Sequence, residues 1–220
     1  MAMGVRTVLS DLEDNGWCRF SSNDFELEKI FSSLGKVIRK TKVSPTVESR
    51  SLVKSTHQLP MHTDHYLAKF IVWECIRQDQ YSGFSVLVDG IELYESMPEK
   101  TRDTLDSIQI KLGAKHLRYS QLLIEENSDL DADINESHPM INKFGSETRI
   151  FYQNWMIGQL VNNKQKSAFQ KYVDAVRNSK PVRIRLNPGE CLAVDNGRIL
   201  HGRDELSENS NRLLIRYWIS

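Results

Sequence analysis

The sequence predicts a mainly β fold, a jelly roll or sandwich with helices packed outside it. Two observations support this prediction: short segments rich in branched and aromatic residues recur along the chain, and they do not alternate regularly with helices. A doubly wound parallel sheet would require that alternation. The predicted strands are Lys69–Arg77, Ser85–Asp89, Arg149–Asn154, Val182–Leu186, Cys191–Asp195 and Leu213–Ile219.

Three further stretches carry apolar residues at helical spacing. Gly35 follows the first stretch and Gly113 the second, as glycine often does where helices stop. The predicted helices run from a cap at Asn23 or Asp24 through Phe25 to Leu34, from Pro98 with Leu105, Ile108 and Leu112 on one face, and over Gln165–Asn178.

Composition predicts one globular domain over residues 1–220. Twenty-nine Lys and Arg balance twenty-nine Asp and Glu, so no overall charge attracts nucleic acid or an anionic membrane. No stretch resembles a secretory signal or a membrane span, so we expect a cytoplasmic protein with a small-molecule partner. The widely spaced Cys18, Cys75 and Cys191 are expected to be reduced and buried, and Trp73, Trp155 and Trp218 to lie in the core.

An acidic stretch over Glu125–Glu136 contains the alternating aspartates of a calcium-binding loop. Ile134 occupies the position where such a loop needs glycine, and Met140 the position where it needs a bidentate glutamate. We therefore predict a solvated acidic loop, with a role as a lid left open.

The candidate chemistry begins at His62 and Asp64. On extended backbone, side chains two residues apart point to the same side, so the imidazole of His62 and the carboxylate of Asp64 can bind the same ion. His201 lies far downstream, just after a predicted strand. Two histidines and one carboxylate on one face of a metal form the site that binds non-haem Fe(II) and leaves three positions open. Alone, a His-x-Asp pair is weak evidence, because it occurs by chance in many chains.

Neighbouring motifs make the pair more specific. From about Gly16 to Ser220 the chain resembles the Fe(II)/2-oxoglutarate-dependent oxygenases of the taurine dioxygenase, γ-butyrobetaine hydroxylase and clavaminate synthase group. The resemblance implies a double-stranded β-helix, or jelly roll, with His62, Asp64 and His201 as catalytic iron ligands and 2-oxoglutarate and O2 as co-substrates. The motifs that carry it are Leu59–Asp64, Gly83–Gly90, Leu186–Glu190, Val194–Asn196 and Leu200–Arg203. Ser82 departs from the pattern, since many relatives have glycine there.

The resemblance also assigns residues that bind the organic ligands. Arg212 matches the arginine that holds the distal carboxylate of 2-oxoglutarate, and a guanidinium can pair with a carboxylate through two hydrogen bonds. Ser85 matches a hydroxyl that contacts the same co-substrate. Arg216 faces the same side as Arg212 on a strand. Its assignment stays open between contact with an anionic substrate, which the resemblance to taurine-type relatives implies, and an outward or structural role. His65 is expected either to line the pocket mouth or to be exposed.

These features predict an oxygenase that hydroxylates an unactivated C–H bond of a small, amino-acid-like metabolite, with secondary metabolism as the expected setting. Desaturation, ring closure and epimerisation are alternative outcomes of the same chemistry. Two rivals remain: a non-catalytic relative that binds metal or 2-oxoglutarate as a sensor or partner subunit, and a metal-dependent cupin-like isomerase or hydrolase. The pairing of Arg212 with Ser85 disfavours the second, because it serves no purpose without a dicarboxylate co-substrate.

Overall fold

The computed structural model describes residues 4–23, 27–46, 52–130 and 134–220. The predicted helix cap at Asp24 and the central residues of the acidic stretch, 131–133, lie outside these ranges. The helices are α1 (Val5–Asn15), α2 (Leu27–Leu34), α3 (Gly90–Glu95), α4 (Glu99–Asp106), α5 (Ala114–Glu126) and α6 (Asn163–Asn178), with short 3-10 helices at Leu52–Lys54 and Asn154–Gln159.

Most of the strands belong to two antiparallel sheets. The larger sheet has the order β1-β11-β4-β13-β2, the smaller the order β10-β5-β12-β3, and β6-β7 and β8-β9 form two separate pairs. The strands are β1 (Trp17–Ser21), β2 (Val37–Val43), β3 (Leu59–His62), β4 (Phe70–Arg77), β5 (Ser85–Asp89), β6 (Gln109–Lys111), β7 (Ser137–Pro139), β8 (Ile141–Phe144), β9 (Glu147–Ile150), β10 (Val182–Ile184), β11 (Glu190–Asp195), β12 (Ile199–Arg203) and β13 (Leu213–Ile219).

Alternation along the strands divides the core into layers. On β4 and β13, Ile71 and Trp218 face the smaller sheet and pack with Leu87 of β5. Their neighbours Val72 and Tyr217 face the other way, toward helices α1 and α2. A third apolar cluster lies around α6, where Phe169, Tyr172 and Val173 are buried. One apolar layer therefore lies between the two sheets, and helices α1 and α2 cover the outer face of the larger sheet.

The predicted strands over residues 69–77, 85–89, 182–186, 191–195 and 213–219 are confirmed to within two residues at their ends. The first and third predicted helices are also present, as α2 and α6. Asn162 caps α6, since its Oδ1 accepts a hydrogen bond from the Gln165 amide at 2.7 Å. All three cysteines are buried and free, as expected.

Three predictions were wrong in detail. The second helix ends at Asp106, and β6 follows with Ile110 buried between exposed Gln109 and Lys111, which is strand periodicity. The strand expected over Arg149–Asn154 ends at Ile150, and a 3-10 helix begins at Asn154. Trp155, expected in the core, is 46% exposed on that helix.

In the part of the chain described, no helix has the length and hydropathy to cross a membrane.

Candidate active site

The structure brings His62, Asp64 and His201 together at one end of the space between the sheets. His62 ends β3 and is paired in register with His201 of β12. The ligand atoms of the three side chains lie within 4.8 Å of one another. His62 Nε2 is 3.8 Å from Asp64 Oδ1, and His201 Nε2 is 3.9 Å from Asp64 Oδ2. Among the described residues this is the one such group of histidine, cysteine and acidic side chains.

Both imidazoles are prepared to act as ligands. His62 Nδ1 lies 2.8 Å from the Pro60 carbonyl oxygen, so Nδ1–H donates there and the Nε2 lone pair faces Asp64. His201 is buried, and burial lowers its pKa to about 3, which keeps the ring neutral. Its buried Nε2 has no hydrogen-bond partner in the described chain. A metal ion would satisfy that nitrogen.

Asp64 is held by three neighbours. Arg216 Nη1 lies 3.2 Å from Oδ1 and 3.0 Å from Oδ2, and Trp218 Nε1 donates to Oδ2 at 3.0 Å. The Asp64 amide donates to Asn196 Oδ1 at 2.7 Å. Burial acts to raise the pKa of Asp64, but the charge of Arg216 and the hydrogen bond from Trp218 lower it, and the pKa lies below its ordinary value. The carboxylate is therefore ionised, as a metal ligand must be.

The donor set of two imidazoles and one carboxylate fits Fe(II). These three ligands occupy one side of an ion and leave room for others on the opposite side. Calcium and magnesium prefer sites made of oxygen atoms alone, and structural zinc sites usually close four protein ligands around the ion.

A pocket extends from the two histidines between the sheets. Arg203 follows His201 by two residues on β12, and Arg203 is paired in register with Ser85 of β5. Ser85, Arg203 and Arg212 also line this pocket. The walls are largely apolar, formed by Val43, Trp73, Leu87, Leu192 and Leu214.

Arg212 is a buried cation with its charge available to a ligand. The side chain is 4% exposed, and its Nε donates to Gln78 Oε1 at 2.9 Å. No described carboxylate forms an ion pair with it. Burial lowers the pKa of Arg212 to about 10, so the guanidinium remains charged at neutral pH. Gly83 makes room for it: at φ 78°, an added Cβ would lie 3.3 Å from Arg212 Cδ and 2.8 Å from Leu206.

A second buried arginine has a different task. Arg203 Nη2 donates to the carbonyl oxygens of Ser55 and His57, each at 2.8 Å, and Nη1 donates to that of Asp204 at 3.1 Å. These bonds tie the segment before β3 to β12. The guanidinium of Arg203 is thus held by backbone carbonyl oxygens, whereas that of Arg212 donates to the Gln78 side chain.

The structure places His65 away from the pocket. The residue is 4% exposed, its Nε2 lies 3.1 Å from Ser120 Oγ, and its ring stacks on His116 and Tyr66 with centroids 4.5 and 4.6 Å away. Burial lowers its pKa to about 3. His65 therefore belongs to an aromatic cluster behind Asp64, neither exposed nor at a pocket mouth.

Sequence reasoning missed several residues that shape the site. Trp218 was expected only as core, but its indole N–H also binds Asp64. Asn196 is 2% exposed, and besides accepting from the Asp64 amide it donates to the His65 and Ala68 carbonyls at 3.2 and 2.9 Å. The Asp195-Asn196-Gly197 turn after a strand was the available signal, because asparagine in such turns often bonds to nearby backbone.

Known proteins resemble this chain along most of its length. A family model described as taurine catabolism dioxygenase TauD, TfdA family matches residues 7–218. γ-Butyrobetaine dioxygenase of Homo sapiens is 25% identical over 175 residues, 73% of this chain and 43% of the relative. The protein of that name from Pongo abelii shows the same values. The chain spans less than half the length of these curated relatives.

Solved structures share the fold. Asparagine oxygenase in complex with Fe(II), 2S,3S-3-hydroxyasparagine and succinate aligns with a TM-score of 0.73 at 15% identity, over 98% of this chain and 78% of that one. Non-heme iron oxygenase OrfP in complex with Fe, succinate and (3S)-hydroxy-L-Arg gives 0.73 at 14% identity, over 100% and 82%. The predicted double-stranded β-helix is confirmed. With the match to the family model over residues 7–218, the chain belongs to the TauD/TfdA dioxygenase family.

Proposed function

We propose that the protein is an Fe(II)- and 2-oxoglutarate-dependent oxygenase that hydroxylates an unactivated C–H bond of a small, amino-acid-like metabolite. One observation carries this proposal. The His62, Asp64 and His201 side chains converge beside a pocket that is lined by both histidines and by the buried Arg212, whose charge no described carboxylate neutralises. A metal site and an anion site in one pocket suit a co-substrate that chelates iron and carries a distal carboxylate.

The proposed roles follow from these positions. His62, Asp64 and His201 would hold Fe(II), while Arg212 would bind the distal carboxylate of 2-oxoglutarate and Ser85 would donate a further hydrogen bond. When bound, Fe(II) with 2-oxoglutarate and O2 supplies the oxidation of a C–H bond, with succinate and carbon dioxide as co-products. The apolar side chains of Trp73, Leu87 and Leu192 would exclude water from that part of the pocket.

Arg216 and His65 receive revised roles in this proposal. Arg216 acts as a positioning residue, because its Nη1 bonds to both oxygens of Asp64 and orients the carboxylate. His65 supports the loop that follows β3 from behind, through Ser120. Neither is assigned a direct contact with the substrate.

The substrate class is proposed from the similar proteins. The solved structures carry hydroxylated asparagine and hydroxylated arginine, and the curated relatives are named for γ-butyrobetaine, so small molecules with amino-acid character are the first choice. Hydroxylation follows from the same names. A setting in secondary metabolism and a cytoplasmic location complete the proposal, and the three free cysteines suit a reducing compartment.

Anaerobic titration tests the proposal. Wild-type protein given Fe(II) and then 2-oxoglutarate is expected to show the weak visible charge-transfer band of the chelate, and His201→Ala is expected to lack it. His57→Ala is the matched control, since it removes an exposed imidazole outside the site. Succinate formation is then measured with single amino acids and betaines. A folded wild-type protein that gives no band contradicts the proposed function, and a band without succinate from any substrate favours the non-catalytic alternative.

A further inference from the structure

A second group of polar side chains lies on the inner wall of the larger sheet, next to the iron ligands. Arg39 of β2 is paired in register with Trp218 of β13, and Thr41 with Arg216. Alternation places these four side chains on the face that looks toward the smaller sheet, while Lys40 packs on the outer face over Tyr217. We call Arg39, Thr41 and the overlying Tyr119 of α5 the β2 wall.

The guanidinium of Arg39 is held by aromatic rings and not by a carboxylate. Its Cζ lies 4.5 Å from the ring centroid of Tyr119 and 5.4 Å from that of Trp218. Glu126 and Asp64 are close enough to act on its pKa, but neither forms an ion pair with it. Stacking fixes the plane of the cation and leaves its N–H groups for a ligand.

Hydroxyl groups beside Arg39 also lack partners. Thr41 Oγ1 and Tyr119 Oη are buried, and neither forms a hydrogen bond within the described ranges. A buried hydroxyl without a hydrogen-bond partner destabilises the fold, so two of them together indicate a position that a ligand fills.

The charges around the iron ligands favour an anion there. Arg39, Arg212 and Arg216 contribute three cations and Asp64 contributes one carboxylate. Arg203 is a further cation, but backbone carbonyl oxygens hold its guanidinium, and Glu126 is a further carboxylate near Arg39. Fe(II) and dianionic 2-oxoglutarate cancel each other, so the loaded site keeps a positive charge. Arg212 would pair with 2-oxoglutarate and Arg216 already bonds to Asp64, which leaves Arg39 as the cation without a partner among the described residues.

We propose that Arg39, with the hydroxyls of Thr41 and Tyr119, binds the anionic group of the substrate, and that the enzyme acts on an amino-acid-like metabolite of net negative charge. This inference rests on the proposed function and deepens it. Trp218 links the two regions, since one face of its ring meets Arg39 and its N–H binds Asp64. The Trp218 indole would therefore separate the bound anion from the carboxylate of Asp64.

Matched amino acids test the charge preference. L-Aspartate and L-asparagine, and L-glutamate and L-glutamine, are titrated by calorimetry into anaerobic protein containing Fe(II) and 2-oxoglutarate, with L-arginine as the cationic probe. At least one acidic member is expected to bind about tenfold or more tightly than its amide, as charged hydrogen bonds typically provide. Tighter binding of the amides or of L-arginine, or no binding of either acidic probe, overturns the proposal.

Variants of the β2 wall then locate the preference. Arg39→Gln is expected to abolish the preference for the acidic probe, Arg39→Lys to restore part of it, and Thr41→Val and Tyr119→Phe each to weaken binding about threefold to tenfold. Lys42→Gln is the control, because Lys42 is an exposed cation on the outer face of the same strand. Equal acidic-probe affinity in wild type and Arg39→Gln overturns the proposal, and a change in thermal stability alone assigns Arg39 a structural role.

The two proposals fail in different ways. Absence of the charge-transfer band in folded wild-type protein contradicts the iron and 2-oxoglutarate function. Calorimetry on the same samples reports acidic-probe binding and its dependence on Arg39 independently of that band.

Discussion

Arg216 and Asp64 form a buried ion pair in which a single nitrogen, Nη1, bonds to both carboxylate oxygens at 3.2 and 3.0 Å. The Arg216 side chain is 14% exposed and that of Asp64 is 9% exposed. Removal of either partner would leave the other charge largely shielded from water. The pair therefore links the stability of the fold to the composition of the metal site.

A double-mutant comparison tests this link. Asp64→Ala leaves Arg216 buried without its partner, and breaking such a pair typically costs about 3–5 kcal/mol of the free energy of unfolding. Adding Arg216→Met removes the unpaired charge, so we expect the double variant to be more stable than Asp64→Ala alone. Urea denaturation of metal-free protein measures both. Equal stability of the two variants would show that the charges are not energetically coupled.

Arg212→Gln is expected to weaken 2-oxoglutarate binding far more than substrate binding. Loss of one partner of a buried, hydrogen-bonded charge pair typically costs about 2–5 kcal/mol, or more than tenfold in affinity. Arg77→Gln, which removes an exposed arginine of β4, is the control. Calorimetric titration with 2-oxoglutarate measures the change, and unchanged affinity in the Arg212 variant would refute the proposed anchor.

Protonation of the Asp79 carboxylate is expected to lower the stability of the fold in acid. It is 1% exposed and accepts hydrogen bonds from the Tyr81 and Ser82 amides and from the hydroxyls of Ser82 and Ser207. Burial acts to raise its pKa, but hydrogen bonds from Ser210, first among them, and from Tyr81, Ser207 and Ser82 hold it well below the ordinary value.

Because the folded state has the lower pKa, the ionised carboxylate stabilises the fold above about pH 4, and this contribution is lost as the pH falls further. We expect Asp79→Asn to be less stable than wild type at neutral pH and to show a flatter decline between about pH 5 and pH 3. Urea unfolding at several pH values measures this, with the exposed Asp103→Asn as control. Parallel declines in wild type and Asp79→Asn would exclude Asp79 as the source.

The three thiols are expected to be unreactive in the folded protein. Cys18, Cys75 and Cys191 are buried, and burial raises the pKa of Cys18 and of Cys191 to about 12. Since the thiolate is the reactive form, a disulfide reagent at pH 8 should modify them slowly until denaturant is added. Rapid modification of any thiol in native protein would contradict this burial.

The group of side chains proposed to bind iron could be predicted from sequence because the signal is local. His62 and Asp64 lie two residues apart on extended backbone, and His201 is embedded in a second short motif. Arg39 offers no such signal. It stands in Arg39-Lys40-Thr41-Lys42, where polar and charged residues occupy both faces of an edge strand, so alternation alone does not tell which face is buried. Only the pairing of β2 with β13 and the position of Tyr119 place Arg39 inside.

The helix predicted from Pro98 illustrates a different limit. Leu105, Ile108 and Leu112 have helical spacing, and all three are buried in the structure. The backbone nevertheless turns after Asp106, because residues 109–111 pair with β7, formed by residues 137–139. The alternation of Gln109, Ile110 and Lys111 is too short to outweigh the helical spacing in the sequence, and pairing with a distant strand overrides the helical pattern.

The pairing of His62 with His201 joins two strands whose proposed metal ligands are 139 residues apart in sequence. β3 is an edge strand of the smaller sheet, and β12 lies inside that sheet. An ion that binds only when these strands are aligned stabilises the alignment by mass action. We therefore expect the stability of the folded protein to rise with the free concentration of iron. Amide hydrogen exchange at the β3 edge should slow as iron is added, while exchange in the centre of the larger sheet should change little.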